Sequence, residues 1–232
     1  MSMLAVGLLL ACRSAPSALP PLAALQDPPP EAGPMPLIVA IHGLGDVPES
    51  LLALVSSCGL PARILAPRGP QAWGEGASWF DIALEPAQPR ADPRGIEASA
   101  DRIAALIDGA QARSQVVGEP IVTGFSQGGY LAWALAVRHP DRVGAAVPVA
   151  GALPEDLPIG AAPPRAPPIR ALHGDMDPVV PSQLDLQTAS RVRALGWDAS
   201  VELHQGVEHA IPPGVHAALC AQLAAALPHD TR

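Results

Sequence analysis

Short apolar runs alternate with amphipathic stretches from Pro36 to the end of the chain. Nearly every position in these runs is apolar, as expected of strands that are covered on both faces of a sheet. They occupy residues 37–41, 62–66, 121–125, 143–149 and 169–172. Between them, apolar residues such as Ile96, Ile103 and Ile107 recur at helical spacing. The alternation predicts an α/β fold, in which a mostly parallel sheet carries helices on both faces.

Helix and turn signals divide the rest of this region. Predicted helices cover residues 50–57, 127–138, 181–196 and 213–227, and another begins at Asp92-Pro93. A last strand is indicated by Val201 and Leu203, which alternate with polar residues. Residues 67–93 hold too many glycines and prolines for regular structure. They predict a long loop rich in aromatic residues, and loops of this length in compact domains are often functional.

The first part of the chain has a different composition. An apolar run at residues 4–11 is too short to span a bilayer, and residues 1–12 fit a lipoprotein-type secretory signal. The stretch Leu9-Leu10-Ala11-Cys12 resembles a bacterial lipobox, in which the cysteine is lipidated and tethers the mature chain to a membrane. Residues 13–35 are rich in proline and alanine and predict a tether, and residues 36–232 are predicted to form one domain.

The signal assignment has two features against it, one of which is that the apolar run is near the lower length limit for a signal peptide. No Lys or Arg precedes the apolar run, although a signal peptide normally begins with positive charge. An apolar tail on a cytoplasmic protein, or a mis-set start, is therefore the alternative. The expectation from the sequence is export with membrane anchoring through Cys12, with a cytoplasmic location as the second choice.

Charge and cysteine usage exclude several classes of function. The chain has 22 acidic and 14 basic residues, so its formal charge of −8 leaves no basic surface for a phosphate backbone, and nucleic acid is not expected as a partner. Cys58 and Cys220 lie in no spacing typical of a metal site. The sequence does not decide whether these two cysteines pair, and structural burial is the expected fate of each.

A candidate nucleophile lies between a predicted strand and a predicted helix. Gly124-Phe125-Ser126-Gln127-Gly128 matches the G-x-S-x-G nucleophile elbow of α/β-hydrolases, in which a sharp turn exposes the serine oxygen above the sheet. By itself this pentapeptide is more often an ordinary flexible turn. The strand before it and the helix after it favour the elbow, and they point to the α/β-hydrolase fold.

A serine hydroxyl needs a base to take its proton and a carboxylate to orient that base. In this fold the chain order is serine, acid, histidine. Of the four histidines near the C-terminus, only His209 lies in a loop between a strand and a helix, where it can reach over the edge of the sheet. The other three are predicted to lie on a strand, in a helix and in the tail. His209 is therefore the predicted base, and a solvated loop histidine is the alternative.

The stretch His173-Gly174-Asp175-Met176-Asp177-Pro178 follows a strand and offers two carboxylates. Asp177 is the better candidate for the acid because it lies further into the loop, whereas Asp175 is placed to cap the turn backbone. His173, Asp175 and Asp177 are also spaced like metal ligands. No second ligand cluster accompanies them, so no metal is expected.

Two backbone amides are predicted to bind the oxyanion of the tetrahedral intermediate. One belongs to Gln127, the residue after the nucleophile. The other belongs to Leu44, in the turn His42-Gly43-Leu44-Gly45-Asp46 that follows the first core strand. A simple glycine turn is the alternative for this second stretch.

Four motifs, taken in order, resemble the phospholipase/carboxylesterase family, which includes the acyl-protein thioesterases. They are His42-Gly43-Leu44-Gly45-Asp46, Ser78-Trp79-Phe80-Asp81, Gly124-Phe125-Ser126-Gln127-Gly128-Gly129 and His173-Gly174-Asp175-Met176-Asp177-Pro178-Val179-Val180-Pro181. The resemblance covers roughly residues 36 to 227. It implies a cofactor-free hydrolase of acyl esters or thioesters, with Ser126, Asp177 and His209 as its triad. It also implies that the loop with Trp79 and Phe80 borders the acyl pocket.

The chain departs from the family pattern near the predicted base. Family members usually have a serine after the histidine, whereas this chain reads Gly206-Val207-Glu208-His209-Ala210. The N-terminal tether is also unlike the cytoplasmic thioesterases, whose acylated protein substrates an exported protein would not meet. Small acyl esters are therefore the expected substrates, and lysophospholipids or thioesters are further options.

Two other functions remain open from the sequence. A serine peptidase uses the same triad on the same fold, and it would need an acidic group for a substrate amine, such as Glu208 or Glu75. A non-catalytic, tethered binding protein could also keep the fold, because fold alone does not prove function. The complete triad in the expected order favours the esterase over both.

Overall fold

The computed structural model describes residues 22–28, 33–85, 89–113 and 116–228, so the predicted signal segment and Cys12 lie outside the described residues. The strands are β1 (Ala24–Asp27), β2 (Leu37–Ile41), β3 (Arg63–Pro67), β4 (Gln71–Trp73), β5 (Gly76–Ser78), β6 (Ile82–Ala83), β7 (Arg90–Ala91), β8 (Ile121–Phe125), β9 (Ala145–Val149), β10 (Ile169–Gly174) and β11 (Ala199–His204). The helices are α1 (Pro48–Ser56), α2 (Pro93–Arg113), α3 (Gln127–Arg138), α4 (Ser182–Ala194) and α5 (Pro213–Ala226). Within the part of the chain that is described, no helix combines the length and apolar character needed to cross a membrane.

Seven strands form the central sheet in the order β1-β3-β2-β8-β9-β10-β11. Six of them run parallel, and only β1 pairs antiparallel, at the edge, with β3. Side chains of β2 alternate between two cores: Leu37, Val39 and Ile41 face α2, α3 and α4, while Ile38 and Ala40 face α1 and α5. This is the predicted α/β-hydrolase architecture, with helices on both faces of a mostly parallel sheet.

The predicted core elements agree with the structure to within a few residues. The helix after the nucleophile has the predicted bounds, because buried apolar residues fill it from Tyr130 to Val137 and Pro140 follows its end. The long loop at 67–93 is more ordered than predicted. It contains two antiparallel hairpins, β4–β5 and β6–β7, whose two- and three-residue strands are too short to leave a periodic pattern.

The N-terminal boundary of the domain is corrected by β1. Residues 13–35 were expected to be a tether, but Leu22 is buried in the core and β1 pairs with β3 from Ala24 to Asp27. The fully buried guanidinium of Arg63 donates hydrogen bonds to the carbonyl oxygens of Pro28 and Gly33. The folded domain therefore begins by residue 22 rather than at Pro36.

Cys58 and Cys220 form a disulfide, which the sequence left undecided. The bond joins the turn after α1 to the middle of α5, across 162 residues, on the same face of the sheet. The His216 ring lies beside it, with Nε2 3.4 Å from Cys220 Sγ. Because both sulfurs are used in the disulfide, they supply no thiolate for a metal here.

Loss of this disulfide is expected to destabilise the domain strongly. A bridge that closes so long a loop restricts the unfolded chain, so replacing both cysteines with serine should lower the free energy of unfolding by about 2–5 kcal/mol. Urea denaturation followed by circular dichroism measures the change. Wild-type protein treated with a thiol reductant is the matched control, and it should show a similar loss. Equal midpoints for all three samples would contradict the stabilising role.

Candidate active site

Ser126 lies at a strained turn between β8 and α3. Its backbone has φ 55° and ψ −118°, a left-handed conformation that is uncommon for a residue with a side chain. The turn is tight enough to require glycine on both sides. A Cβ at Gly124 would lie 2.7 Å from the Ile41 carbonyl oxygen, and one at Gly128 would collide with the same oxygen. The sequence therefore folds locally into the predicted elbow.

Asp177 and His209 are brought together from two separate loops. Asp177 follows β10, His209 lies between β11 and α5, and the His209 Nδ1 donates a hydrogen bond of 2.7 Å to Asp177 Oδ2. The other carboxylate oxygen, Oδ1, accepts the backbone N–H groups of Val179 at 2.8 Å and Val180 at 2.9 Å. The carboxylate is thus fixed from both sides, and it holds the imidazole in the tautomer with its free lone pair on Nε2.

The imidazole of His209 lies against the residue that precedes the nucleophile. The rings of His209 and Phe125 have centroids 4.7 Å apart, and the His209 side chain is 15% exposed. The elbow and the Asp177–His209 pair are therefore neighbours at the carboxyl ends of β8 and β10. In open α/β sheets this edge is where ligands bind.

The environment of Asp177 keeps its carboxylate ionised. Burial alone would raise its pKa, but hydrogen bonds from His173 and His209 and from the Val180 amide outweigh burial and hold the pKa well below its usual range. The contribution of this carboxylate to stability is therefore present above its ordinary pKa near 4, and it is lost as the pH falls toward the folded value. Asp177 stays charged throughout the neutral range.

Asp175 has the structural role that the sequence predicted. Its Oδ1 accepts the backbone N–H of Gly206 at 2.6 Å, so it caps the turn that leads from β11 toward His209. Gly206 has φ 71°, a conformation that favours glycine. The metal-site alternative is not supported, since Asp175 points to this turn while His173 is buried against Asp185 and Val180.

The two residues predicted to supply oxyanion donors follow the carboxyl ends of β2 and β8, which are neighbouring parallel strands. Gln127 is the first residue of α3, and the first N–H groups of a helix have no partner within it. Its buried side chain accepts the Trp79 amide and donates to the Phe80 carbonyl, which fixes the start of the helix. Leu44 lies in the turn after β2 and borders a cavity that Trp73 and Phe80 also line.

The turn with Leu44 is supported by a neutral histidine. His42 is fully buried, and its Nε2 accepts the backbone N–H of Gly69 at 3.0 Å, so the proton must lie on Nδ1, which donates to the Gly43 carbonyl. Burial also lowers the pKa of His42. The imidazole therefore acts here as a fixed structural link between two loops.

The position of Trp79 requires a correction. The resemblance implied that the loop with Trp79 and Phe80 contacts substrate, but Trp79 is only 1% exposed and donates from Nε1 to the His42 carbonyl. Its indole thus holds the turn that contains Leu44 and leaves almost no surface for a ligand. Phe80 borders the cavity beside Leu44 but is also only 1% exposed, so Trp73, which is 55% exposed, is the aromatic residue there with surface for a ligand.

Two cavities border the loops around the candidate site, and neither is lined by Ser126, Asp177 or His209. The larger, about 730 Å³, is bordered by Tyr130 of α3, the loop after β9, the start of α4 and the β6–β7 hairpin. The smaller, about 480 Å³, lies beside Leu44 and Trp73. Both are lined by Arg90 and Ala91 of the hairpin, which therefore lies between them. Each cavity has a volume in the range that small organic ligands occupy.

Comparisons with known proteins identify the family and the fold of the chain. A family model described as phospholipase/carboxylesterase matches residues 28–224. NocK of Nocardia uniformis subsp. tsuyamanensis, named as an inferred esterase, is 32% identical over 148 residues, which are 63% of this chain and 41% of NocK. The chain therefore spans less than half the length of that relative.

Solved structures show the same fold. The structure of esterase PE8 matches with a TM-score of 0.76 and 27% identity, over 89% of this chain and 100% of that chain. Acyl-protein thioesterase 2 of Zea mays matches with a TM-score of 0.69 and 24% identity, over 89% of this chain and 99% of that chain. At that identity the second likeness shows the fold alone.

Proposed function

Because the chain belongs to the phospholipase/carboxylesterase family, we propose that it is a serine hydrolase that cleaves carboxylic esters through an acyl-enzyme. In this proposal Ser126 is the nucleophile, His209 is the general base and Asp177 orients that base. The observation that carries the proposal is the 2.7 Å hydrogen bond from His209 to the buried Asp177, made directly beside the strained serine elbow. No cofactor or metal takes part in these steps.

Acylation begins when Ser126 Oγ attacks the ester carbonyl carbon. The hydroxyl proton passes to Nε2 of His209, whose Nδ1–H stays bonded to Asp177. The carbonyl oxygen becomes an oxyanion, and the amides of Leu44 and Gln127 stabilise it. When the tetrahedral intermediate collapses, the carbon–oxygen bond to the alcohol breaks, and the alcohol leaves with the proton from His209. Ser126 then carries the acyl group.

Deacylation repeats the same chemistry with water. His209 Nε2 takes a proton from water as its oxygen attacks the acyl carbon. Collapse of the second tetrahedral intermediate releases the carboxylic acid and returns the proton to Ser126 Oγ. The charge on Asp177 stabilises the imidazolium that forms in both steps, and the low pKa of this carboxyl keeps that charge available.

The two cavities support a small-molecule acyl ester as substrate. The larger has apolar walls from Tyr130 and Leu153 and a charged rim from Arg90, Glu155 and Arg191. An acyl chain fits the apolar walls, while a polar leaving group fits the rim. Thioesters and lysophospholipids have the same reacting carbonyl, so they are included in the substrate class that we propose.

The disulfide supports the proposal that the protein is exported. Disulfides persist in oxidising compartments and are rare in the cytoplasm. We therefore keep export with anchoring through a lipidated Cys12 as the proposed location, and cytoplasmic residence as the alternative. Membrane fractionation of cells that express the full chain, compared with Cys12→Ser, tests it. Equal release of both proteins into the soluble fraction would reject anchoring.

Covalent labelling tests the proposed function. A fluorophosphonate probe should modify the full chain at Ser126, as mapped by mass spectrometry, because it reacts with a serine that an adjacent histidine activates. A panel of p-nitrophenyl esters from acetyl to long acyl should then report hydrolysis and the preferred chain length. A folded protein that neither reacts with the probe nor hydrolyses any ester would overturn the proposal.

The same panel separates the alternatives. Aminoacyl p-nitroanilides added to the panel test the peptidase hypothesis. That hypothesis needs an acidic group for the substrate amine, but the two candidates, Glu208 and Glu75, are exposed and line neither cavity. Hydrolysis of anilides with little ester hydrolysis would favour the peptidase. Ligand binding without labelling or turnover would favour the binding protein.

A further inference from the structure

His173 is fully buried in β10, and both of its ring nitrogens face hydrogen-bond acceptors. Nδ1 lies 2.9 Å from Asp185 Oδ2. Nε2 lies 2.8 Å from the Val180 carbonyl oxygen and 3.4 Å from Asp177 Oδ2, the oxygen that also accepts His209. A neutral imidazole carries only one N–H and could serve only one of these two sides. The geometry therefore requires an additional proton, on either His173 or Asp185.

Burial raises the pKa of Asp185, which favours a proton on its carboxyl group, but the hydrogen bonds around the pair favour the imidazole. Asp185 Oδ1 already accepts the indole N–H of Trp133 at 2.9 Å, and two donors stabilise a carboxylate. On the other side of the ring, the anionic Asp177 favours a cation. Tyr130 and His209 are the next titratable groups around these carboxylates. Burial alone would lower the pKa of His173, but the bonds with Asp177 and Asp185 outweigh it and raise the pKa to about 9.

We propose that His173 is a positioning residue of the triad, held as a buried imidazolium by Asp185 and donating from Nε2 toward the Val180 carbonyl and Asp177. This inference rests on the proposed function, because it assigns a role toward the Asp177–His209 pair. The ring fixes Val180, whose amide binds Asp177 Oδ1, and it approaches Oδ2 directly. Asp177 is thus held at Oδ1 through Val180 and approached at Oδ2 by His173 itself.

Asp185 makes this arrangement compatible with catalysis. Its carboxylate balances the charge of His173, so the pair adds no net charge beside the triad. The negative charge of Asp177 therefore remains available to His209 when it takes the proton of Ser126. When His173 loses a proton, its one remaining N–H stays on Nδ1 against the Asp185 carboxylate. The Nε2 lone pair then faces the Val180 carbonyl oxygen, and the contact toward Asp177 is lost.

Nuclear magnetic resonance of the full chain with 15N-labelled histidine tests the charge directly. At pH 7 both ring nitrogens of His173 should be protonated, with the signals assigned by their absence in His173→Gln or by their shift in Asp185→Asn. His42 is an internal control, since its Nε2 is an acceptor and only Nδ1 should carry a proton. A His173 ring with one protonated nitrogen at pH 7 would overturn the proposal.

Kinetics on a p-nitrophenyl ester tests the positioning. His173→Gln should lower kcat on the order of 10- to 100-fold with little change in KM, by analogy with the loss of a partner that orients a metal ligand. His139→Gln is the matched control, because His139 forms a similar pair with Asp101 at 2.9 Å, far along α3 from the site. Equal kcat values for His173→Gln and His139→Gln would overturn the positioning role.

The pH profile distinguishes positioning from a purely structural role. Wild-type kcat should fall as the pH rises through about 9, because the protonated form is the competent one. Asp185→Asn removes the stabilising carboxylate and should move this alkaline limb to lower pH. The Asp185→Asn variant also tests the proposal if His173→Gln does not fold. An alkaline limb that Asp185→Asn leaves unchanged would reject the positioning role. A folded wild-type protein without esterase activity would instead reject the proposed function, and the NMR measurement would then still decide whether His173 is charged.

Discussion

Replacing Ser126 with alanine is expected to lower kcat for a p-nitrophenyl ester on the order of a millionfold, as loss of the nucleophile does in another serine hydrolase. The substitution removes only the attacking oxygen. Alanine keeps the Cβ, so the strained backbone at φ 55° is no worse than before, and the core around the elbow is unchanged. Stopped-flow and long-incubation assays on the full chain cover this range of rates.

Ser200→Ala is the matched control, because Ser200 is exposed on β11 and takes no part in the proposed chemistry. It should retain the parental kcat and KM, and both variants should unfold at the same urea concentration as the parent. If Ser126→Ala keeps a large part of the parental kcat, the hydrolysis comes from another nucleophile or from a contaminant. In that case Ser126 is not the nucleophile.

Asp177→Asn is expected to lower kcat on the order of ten-thousandfold, as in other triads that lose their acid to the amide. Asparagine can still accept the amides of Val179 and Val180 through its oxygen. Its NH₂ group would then face His209 and donate to Nδ1, so the proton of the imidazole would move to Nε2. In that tautomer His209 cannot take the proton of Ser126. The fold should survive, and steady-state kinetics beside thermal unfolding measures both effects.

Asp175→Asn is the matched comparison two residues away. Its side-chain oxygen can still accept the amide of Gly206, so we expect little change in kcat and a small loss of stability. The assignment of the acid depends on the difference between the two variants. Equal kinetic damage from both would show that the choice of Asp177 is wrong.

The sequence was most informative where the relevant residues are close together in the chain. The elbow around Ser126 is specified within five residues, and glycine there has a steric cause that the structure makes explicit. The choice of Asp177 over Asp175 also rested on local turn chemistry. The structure pairs Asp177 with His209 and Asp175 with Gly206, as those local signals indicated.

Features that depend on distant partners could not be predicted in this way. The four residues of β1 are mostly exposed and carry no apolar alternation, so only their pairing with β3 identifies them as a strand. Trp73 and Trp79 lie six residues apart in one loop, and no pattern in the neighbouring sequence indicates which of the two is buried. The contact between His173 and Asp185 arises only when α4 packs against β10, which sequence periodicity does not reveal.

The bond between Cys58 and Cys220 has a consequence for proteolysis. Ser126, Asp177 and His209 all lie between the two cysteines, in a ring of chain that is closed by the disulfide. A protease that cuts the ring once, for example at the exposed Arg165, would leave the nucleophile and the base on different fragments of one covalent molecule. Such a nicked protein would separate into two bands only on a reducing gel, and its two fragments could not diffuse apart.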